Sequence, residues 1–440
     1  MAVAEAIPNT AKNQRKEIIA WCLYDWANSA YSTIQITVLV DYLVNRIALP
    51  DKMGALIYGW GIGVTMIVTA FLSPVLGAIA DARANKRTWL AGATLVAAGS
   101  CALMWFATPD RPWLFVALFI LANLGYEQAW GFYNAFLPEI ADDKYMSRVS
   151  SWGFGTGYVG GGVLLLIAVV MFFQGDAWGI PSENGFRFRL SLLLMGLWWG
   201  VFSLPMLLIV KDKRLPSREP QPLLATGKQA LADVWSTLRH LRRYRMLVIF
   251  LVGFLIYNDG VQTMITQASV FATDVLDMQT SELGGVILMI QFVALPGALT
   301  VGWLADRIGQ KPALMMCLGI WVTLLVCAFF ITEKWQFWTM AAFAALVLGG
   351  TQSVSRTIMG LMTPESRAAE FFGFFNLSGK AASMLGPIVF STTMYATGSA
   401  HYAILSLLGF FLLGWGIILP LNIKQGQAVA RANEAGTPVQ

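Results

Sequence analysis

Charge is what this sequence has least of. Only 12% of its 440 residues are Asp, Glu, Lys or Arg, about half the roughly 25% that a soluble domain carries. That leaves too little charge to cover a globular surface. Histidine is nearly absent. Of the two residues, His240 lies in a polar connection and His401 at the end of an apolar run. No HExxH, no His-rich cluster and no Gly-x-Ser-x-Gly occurs, so no metal site, embedded-hydrolase centre or resident cofactor is implied. Cysteine is sparse as well. Cys22, Cys101, Cys317 and Cys327 all fall inside apolar runs without a CxxC pair, which excludes a disulfide framework and leads us to expect small buried hydrophobes. The first 16 residues are polar and carry no apolar core with a cleavage site. A removable signal peptide is therefore not expected, and the first apolar stretch would act as the insertion signal.

What is abundant is apolar sequence in long blocks. Hydrophobic residues make up 57% of the chain and mean hydropathy is +0.61. The blocks run for about 20 residues, the length that crosses a hydrocarbon core about 30 Å thick. They are continuous rather than alternating, so the expectation is helices and not barrel strands. Spans are expected at 18–45, 55–80, 88–107, 112–137, 150–174 and 189–210, then at 246–273, 282–305, 312–332, 336–361, 369–397 and 400–422. This is an all-α membrane protein of twelve transmembrane helices. A polar segment at 211–245 divides it into an N-terminal bundle (1–210) and a C-terminal bundle with a short tail (246–440). Within that linker, Leu231, Val234, Leu238 and Leu241 recur at helical spacing opposite Arg239, Arg242 and Arg243. The pattern predicts an amphipathic helix on an anionic membrane face.

The net charge of +5 follows topology rather than nucleic-acid binding. With the N-terminus inside, only Arg46, Lys52, Arg111, Arg187, Arg189 and Lys334 lie outside. Arg356 and Lys380 lie within spans, and every other Lys and Arg is cytoplasmic. This bias places both termini in the cytoplasm and the chain in a cell inner membrane.

An internal repeat supports the division. GAIADARANKR after span 2 and GWLADRIGQKP after span 8 align with Gly77 on Gly302, Asp81 on Asp306 and Lys86 on Lys311, each 225 residues apart. The same shift puts Glu127 on Gln352. Duplicated halves of parallel topology are the arrangement of facilitator-type transporters. Gly77 and Gly302 permit close helix contact. Asp81 and Asp306 can cap a neighbouring helix or hold a cation across the seam, with Arg83 and Arg307 beside them. We therefore expect these six residues to gate the inner face.

The paired loops resemble the signature loop of the major facilitator superfamily. The first copy has Ala84-Asn85 where the pattern has a glycine. Two further stretches, YDWANSAYSTIQIT (24–37) and GGTQSVSRTIMGLMTPESRAAEFFGFFNLSGKAASMLGP (349–387), resemble the superfamily's vacuole-effluxer branch, which includes the fungal autophagy-linked amino-acid exporter and many bacterial relatives. The resemblance covers essentially the whole chain. It implies the twelve-helix facilitator fold and, from the fungal members, export of neutral amino acids.

Charges inside a span cost at least a few kcal/mol each, so each is a functional candidate. Polar stripes at helical spacing occur on spans 1 (Asp25, Asn28, Ser32, Gln35), 4 (Asn123, Glu127, Asn134), 7 (Asn258, Asp259, Gln262, Thr266) and 10 (Gln352, Ser355, Arg356). The resemblance implies that these four spans line the central cavity. Arg356 and Lys380 are the anion-receiving candidates. Asp25, Glu127 and Asp259 are the cation-receiving and proton-carrying ones, since no histidine lies inside a span. Tyr31 and Trp26, near Asp25, could touch substrate. The alternative is structural pairing, Arg356 with Glu370 or Lys380 with Asp259. The expected activity is secondary transport of a small polar or zwitterionic solute, with the proton as coupling ion and a monomer as the working unit. An exporter of amphiphiles such as a drug, lipid or siderophore remains the alternative. GFGTGYVGGG (153–162) contains a GxGxxG but follows no strand, so it predicts tight helix packing rather than dinucleotide binding.

Overall fold

The apolar blocks become helices, and the polar signals between them set the helix ends. The structure, a computed structural model, describes residues 14–50, 53–213, 223–239, 241–381 and 385–434, and every regular element among them is helical. In chain order they are α1 (Arg15–Ile34) and α2 (Val40–Asn45), joined by a π turn over Gln35–Leu39; α3 (Met53–Arg83); α4 (Lys86–Leu103); α5 (Pro112–Asn134); the short α6 (Leu137–Ile140); α7 (Met146–Gln174); α8 (Phe186–Ile209); α9 (Leu223–Arg239); α10 (Arg245–Leu276); α11 (Thr280–Ile308); α12 (Gln310–Ala328); α13 (Lys334–Met362); α14 (Ala368–Ala381); α15 (Leu385–Thr397); α16 (Ala400–Ser406); α17 (Leu408–Ile418); and α18 (Ile423–Glu434). Pro112 opens α5 where an N–H would have no partner anyway. Capping boxes, Gln279 with Glu282 and Glu333 with Gln336, start α11 and α13. Gly309, at φ +97°, makes the one-residue turn from α11 to α12. At the repeat-equivalent position Ala84 is held at φ +51°, a left-handed backbone that a side chain disfavours.

Nine of the described helices are long and apolar enough to cross a membrane. Expected spans 1, 4 and 11 are not among them. α1 and α5 carry the interior polar stripes, and span 11 is described only on either side of residues 382–384, as α14 and α15. The least apolar of the nine is α13, which carries a third stripe. Span 1 likewise differs from the single helix expected, because the π turn interrupts it. Large side chains such as Phe71, Leu95 and Phe173 stand exposed around the outside, as a lipid-facing surface requires. Cys22, Cys101 and Cys317 are buried as expected. Cys327 is instead exposed.

Before the linker, α1 is clasped by α7 and α8, and α5 packs on α3 and α4. After it, α10 packs on α17, and α13 on α11 and α12. The seam between the two sets is made by α7 against α11 and α13, and by α14 against α3 and α5. In span order these are 5 with 8 and 11 with 2. Advancing either pair by six gives the other, which is the two-fold relation expected of a duplicated chain.

Two amphipathic helices cross the seam on the face that carries the linker. α9 packs Ala230 and Val234 on Ala78 and Ile79 of α3. Its Thr237 hydroxyl donates to Glu370 Oε1 at 2.9 Å, at the start of α14 in the other half. Its register differs from the expected one. Ala230 and Thr237 are buried, whereas Leu231 (55%) and Trp235 (58%) are exposed. The side chains of Leu238, Leu241 and Arg242 lie outside the described residues. α18 makes the reciprocal contact. It packs Gly426 against Met362 of α13, and Arg431 pairs with Asp143, before α7, at 2.6 Å.

Candidate functional site

Arg356 lies six residues from the end of α13 and is completely buried. Its guanidinium is satisfied from three helices of the other half. Nη1 is 3.2 Å from Asp25 Oδ2 on α1 and donates to Asn134 Oδ1 on α5 at 3.1 Å. Nε donates to the Ser150 hydroxyl at 2.9 Å, and Nη2 to the Ser150 carbonyl at 2.6 Å, both on α7. The faces of Phe154 (4.0 Å) and Trp21 (4.6 Å) cover the cation. Tyr133 donates its hydroxyl to the same Asp25 oxygen at 3.0 Å and stacks on Trp21 and Tyr24. A buried pair is sustained only when the remaining lone pairs and protons are bonded in this way.

The glycine run 153–162 provides the room. A Cβ on Gly153 would stand 2.8 Å from Arg356 Nη2 and 2.6 Å from the Trp21 ring, and one on Gly157 would reach Asp25 Oδ1 at 3.0 Å. Gly160 and Gly161 bring α7 onto α1, while Gly155 and Gly162 bring it onto α11. The GxGxxG is therefore the two-sided helix contact the sequence predicts.

Further contacts cross the seam. Tyr158 on α7 donates to Gln352 Oε1 on α13 at 2.6 Å. Gln291 on α11 donates to the Thr33 hydroxyl at 2.8 Å, and Asn376 on α14 to the Glu127 carbonyl at 3.0 Å. Ser151 and Ser353 are hydrogen-bonded at 2.6 Å. Asn28 is buried, and neither atom of its amide has a hydrogen-bond partner among the described residues. Tyr31 points into the N-terminal bundle, where it donates to Asn123 at 3.3 Å beside Tyr126.

The structure thus brings Asp25 and Arg356 together. Arg356 does not pair with Glu370, as the structural alternative proposed. Glu370 is taken by Arg367 at 2.7 Å and by Thr237. Asp259 accepts the Gly386 N–H at 3.0 Å with both oxygens. Asn258 donates to the Gly379 carbonyl at 3.2 Å, and Gln262 is half-buried on the same helix. The backbone of Lys380 is in α14, but its side chain lies outside the described residues. Its pairing with Asp259 does too.

The repeated loop residues split into two groups. Asp81 accepts the Ala369 and Glu370 N–H groups at 3.2 and 2.9 Å, which caps α14 across the seam. Asp306 stands 3.4 Å from Arg148 near the start of α7, also across the seam. A Cβ on Gly77 would collide with Ala369, and one on Gly302 with Ser151. Arg83 instead reaches Thr226 of α9 at 3.4 Å, and Arg307 covers Trp303 of its own helix at 3.8 Å. Lys86 pairs with buried Glu139 inside the N-terminal half. Tyr133, Ser150, Tyr158 and Asn376 escaped the sequence reading, because single hydroxyls and amides in apolar helices carry little signal. Their one hint was the clustering of Ser147, Ser150 and Ser151 before the glycine run.

Comparison with known proteins converges on one family. The profile described as "Vacuole effluxer Atg22 like" matches residues 55–431. The MFS-type transporter YxiO of Bacillus subtilis, uncharacterized, is 32% identical over 408 residues, covering 92% of this chain and 94% of that protein. Autophagy-related protein 22 of Yarrowia lipolytica is 24% identical over 310 residues, 64% of this chain. That match spans 52%, about half, of the fungal protein's length. Among solved structures, the proton:xylose symporter XylE superposes with a TM-score of 0.70 at 14% identity, covering 96% of this chain and 98% of that one. The human organic anion transporter MFSD10 gives 0.68 at 14%, covering 94% and 100%. At such identities the likeness concerns the fold.

Proposed function

Because the chain belongs to the vacuole effluxer Atg22-like family of the major facilitator superfamily, we propose that it moves a small zwitterionic solute, an amino acid or related metabolite, by alternating access, coupled to protons. It is a multi-pass membrane transporter and not an enzyme. The observation that carries the substrate class is the buried Asp25–Arg356 pair, which joins one half to the other.

A zwitterion carries the same two charges as this pair. Its carboxylate can take the fork of Arg356, and its ammonium can take Asp25, so the pair opens without leaving either charge bare. A proton on Asp25 would release Arg356 in a second way, which is the coupling step of this reading. Glu127 and Asp259 are the further proton carriers in it. The amide of Asn28, without a hydrogen-bond partner among the described residues, is a recognition group on the same helix. The halves meet on the linker face through Asp81 and Asp306, and the working cycle breaks and remakes these contacts. In this reading the linker face is cytoplasmic, the chain sits in the inner membrane, and the state described is closed to the cytoplasm.

The test is uptake and efflux in proteoliposomes with a panel of amino acids, with and without a pH gradient. Gradient-dependent movement of at least one zwitterion is expected, and Asp25→Asn is expected to abolish accumulation. Movement of apolar amphiphiles alone would remove the substrate class, and full accumulation by Asp25→Asn and Glu127→Gln would remove the proton assignment.

A further inference from the structure

We infer that the lateral groove between α10 and α14 is a binding site for an anionic phospholipid, with an acyl chain in the groove and the phosphate at the arginines of its mouth. The groove encloses about 170 Å³. Leu247, Leu251 and Leu255 of α10 line one wall, and Phe371, Phe374 and Leu377 of α14 the other. The stripe runs from Tyr244, the residue before α10, to Leu255, about 16 Å at 1.5 Å per residue, or roughly half of a hydrocarbon core. The groove opens sideways, and Val252 on its rim is 45% exposed.

The end of the groove near the linker is basic. Arg243 and Arg245 flank Tyr244, and both are exposed. At helical spacing Arg245 lies on the edge of the stripe that Val248 and Val252 continue. Arg239, also exposed, lies over the Trp235 ring at 5.3 Å. None of the three makes an ion pair among the described residues. The nearby carboxylate, Glu370, is already taken by Arg367 and Thr237. The uncompensated guanidiniums of Arg243 and Arg245, on either side of Tyr244 at one end of an apolar slot, call for a ligand that is anionic at one end and a hydrocarbon at the other. A zwitterionic headgroup would bring its own cation into that cluster, so the site selects net negative charge. The exposed Trp235, with its amphipathic ring, suits the headgroup level of a bilayer.

Thermal unfolding of the full chain in detergent tests this, titrated with phosphatidylglycerol or with phosphatidylcholine of the same acyl chains. Phosphatidylglycerol is expected to raise the unfolding midpoint, and phosphatidylcholine to leave it unchanged. In the double variant Arg243→Gln/Arg245→Gln, at exposed positions, the phosphatidylglycerol needed for the half-maximal shift should rise by about tenfold. Leu251→Trp, which fills the slot, should abolish the shift while keeping the size-exclusion profile of the parent. Equal shifts from the two lipids, or an undiminished phosphatidylglycerol shift in the arginine variant, would overturn the site. So would a full shift produced by inorganic phosphate alone, because the groove would then contribute nothing.

Discussion

Asp25 Oδ2 and Arg356 Nη1 stand 3.2 Å apart, although 331 residues separate them and they belong to opposite halves of the molecule. Each is held by its own half: Asp25 by Tyr133 and α1, Arg356 by α13. The contact therefore exists only while the halves are closed around it. It reports conformation as well as stability.

Removing one member should cost more than removing both. Asp25→Asn or Arg356→Met leaves a charge buried and unmatched, a loss of about 3–5 kcal/mol. The double variant should recover much of this, and unfolding midpoints of the four proteins form the cycle that measures the coupling. Additive losses would mean that the two residues do not interact.

Gly153→Ala should impair folding or transport by crowding Trp21 and Arg356, with an overpacking cost of about 1–3 kcal/mol. Gly131→Ala is the matched control, since nothing lies within 4 Å of its would-be Cβ. Thermal unfolding of both variants, together with transport assays, checks the contrast.

Ala84→Gly should stabilise the protein. Ala84, at φ +51°, carries a positive φ at the position where the second copy of the loop has Gly309, at φ +97°, and relief is worth about 1 kcal/mol. The variant's higher unfolding midpoint is the readout, and Gly309→Ala should lower it.

Asp81→Asn and Asp306→Asn should both loosen the linker face, because each weakens a charge-assisted contact across the seam. Thr237→Val should act in the same direction by releasing α9 from Glu370. The rate at which a thiol reagent labels a cysteine introduced at Ser147 should rise several-fold in all three.

Much of this was legible before the fold. Spacing of three and four found the polar stripes on spans 1, 4, 7 and 10, and equal offsets found the two seam aspartates. The partnership of Asp25 with Arg356 was not legible, since periodicity places a side chain on a face and says nothing of which distant face meets it. The role of the glycine run was visible only in kind. The sequence predicts close packing, and it took the side chains of α1 and α13 against α7 to show that Gly153 makes room for a guanidinium. The bond from the Gly386 N–H to Asp259 is likewise a tertiary event.

The two seam-crossing helices carry a further consequence. Because α9 packs on α3 and also bonds to α14, the connection through 214–222 is not what keeps the halves together on that face. A chain severed there should still assemble as one particle, with α9 entering as part of the C-terminal fragment. Genes for residues 1–213 and 223–440, expressed together, are expected to complement each other. The covalent thread between the bundles would then serve to deliver them to the same place at the same time, and the folded surfaces would do the joining.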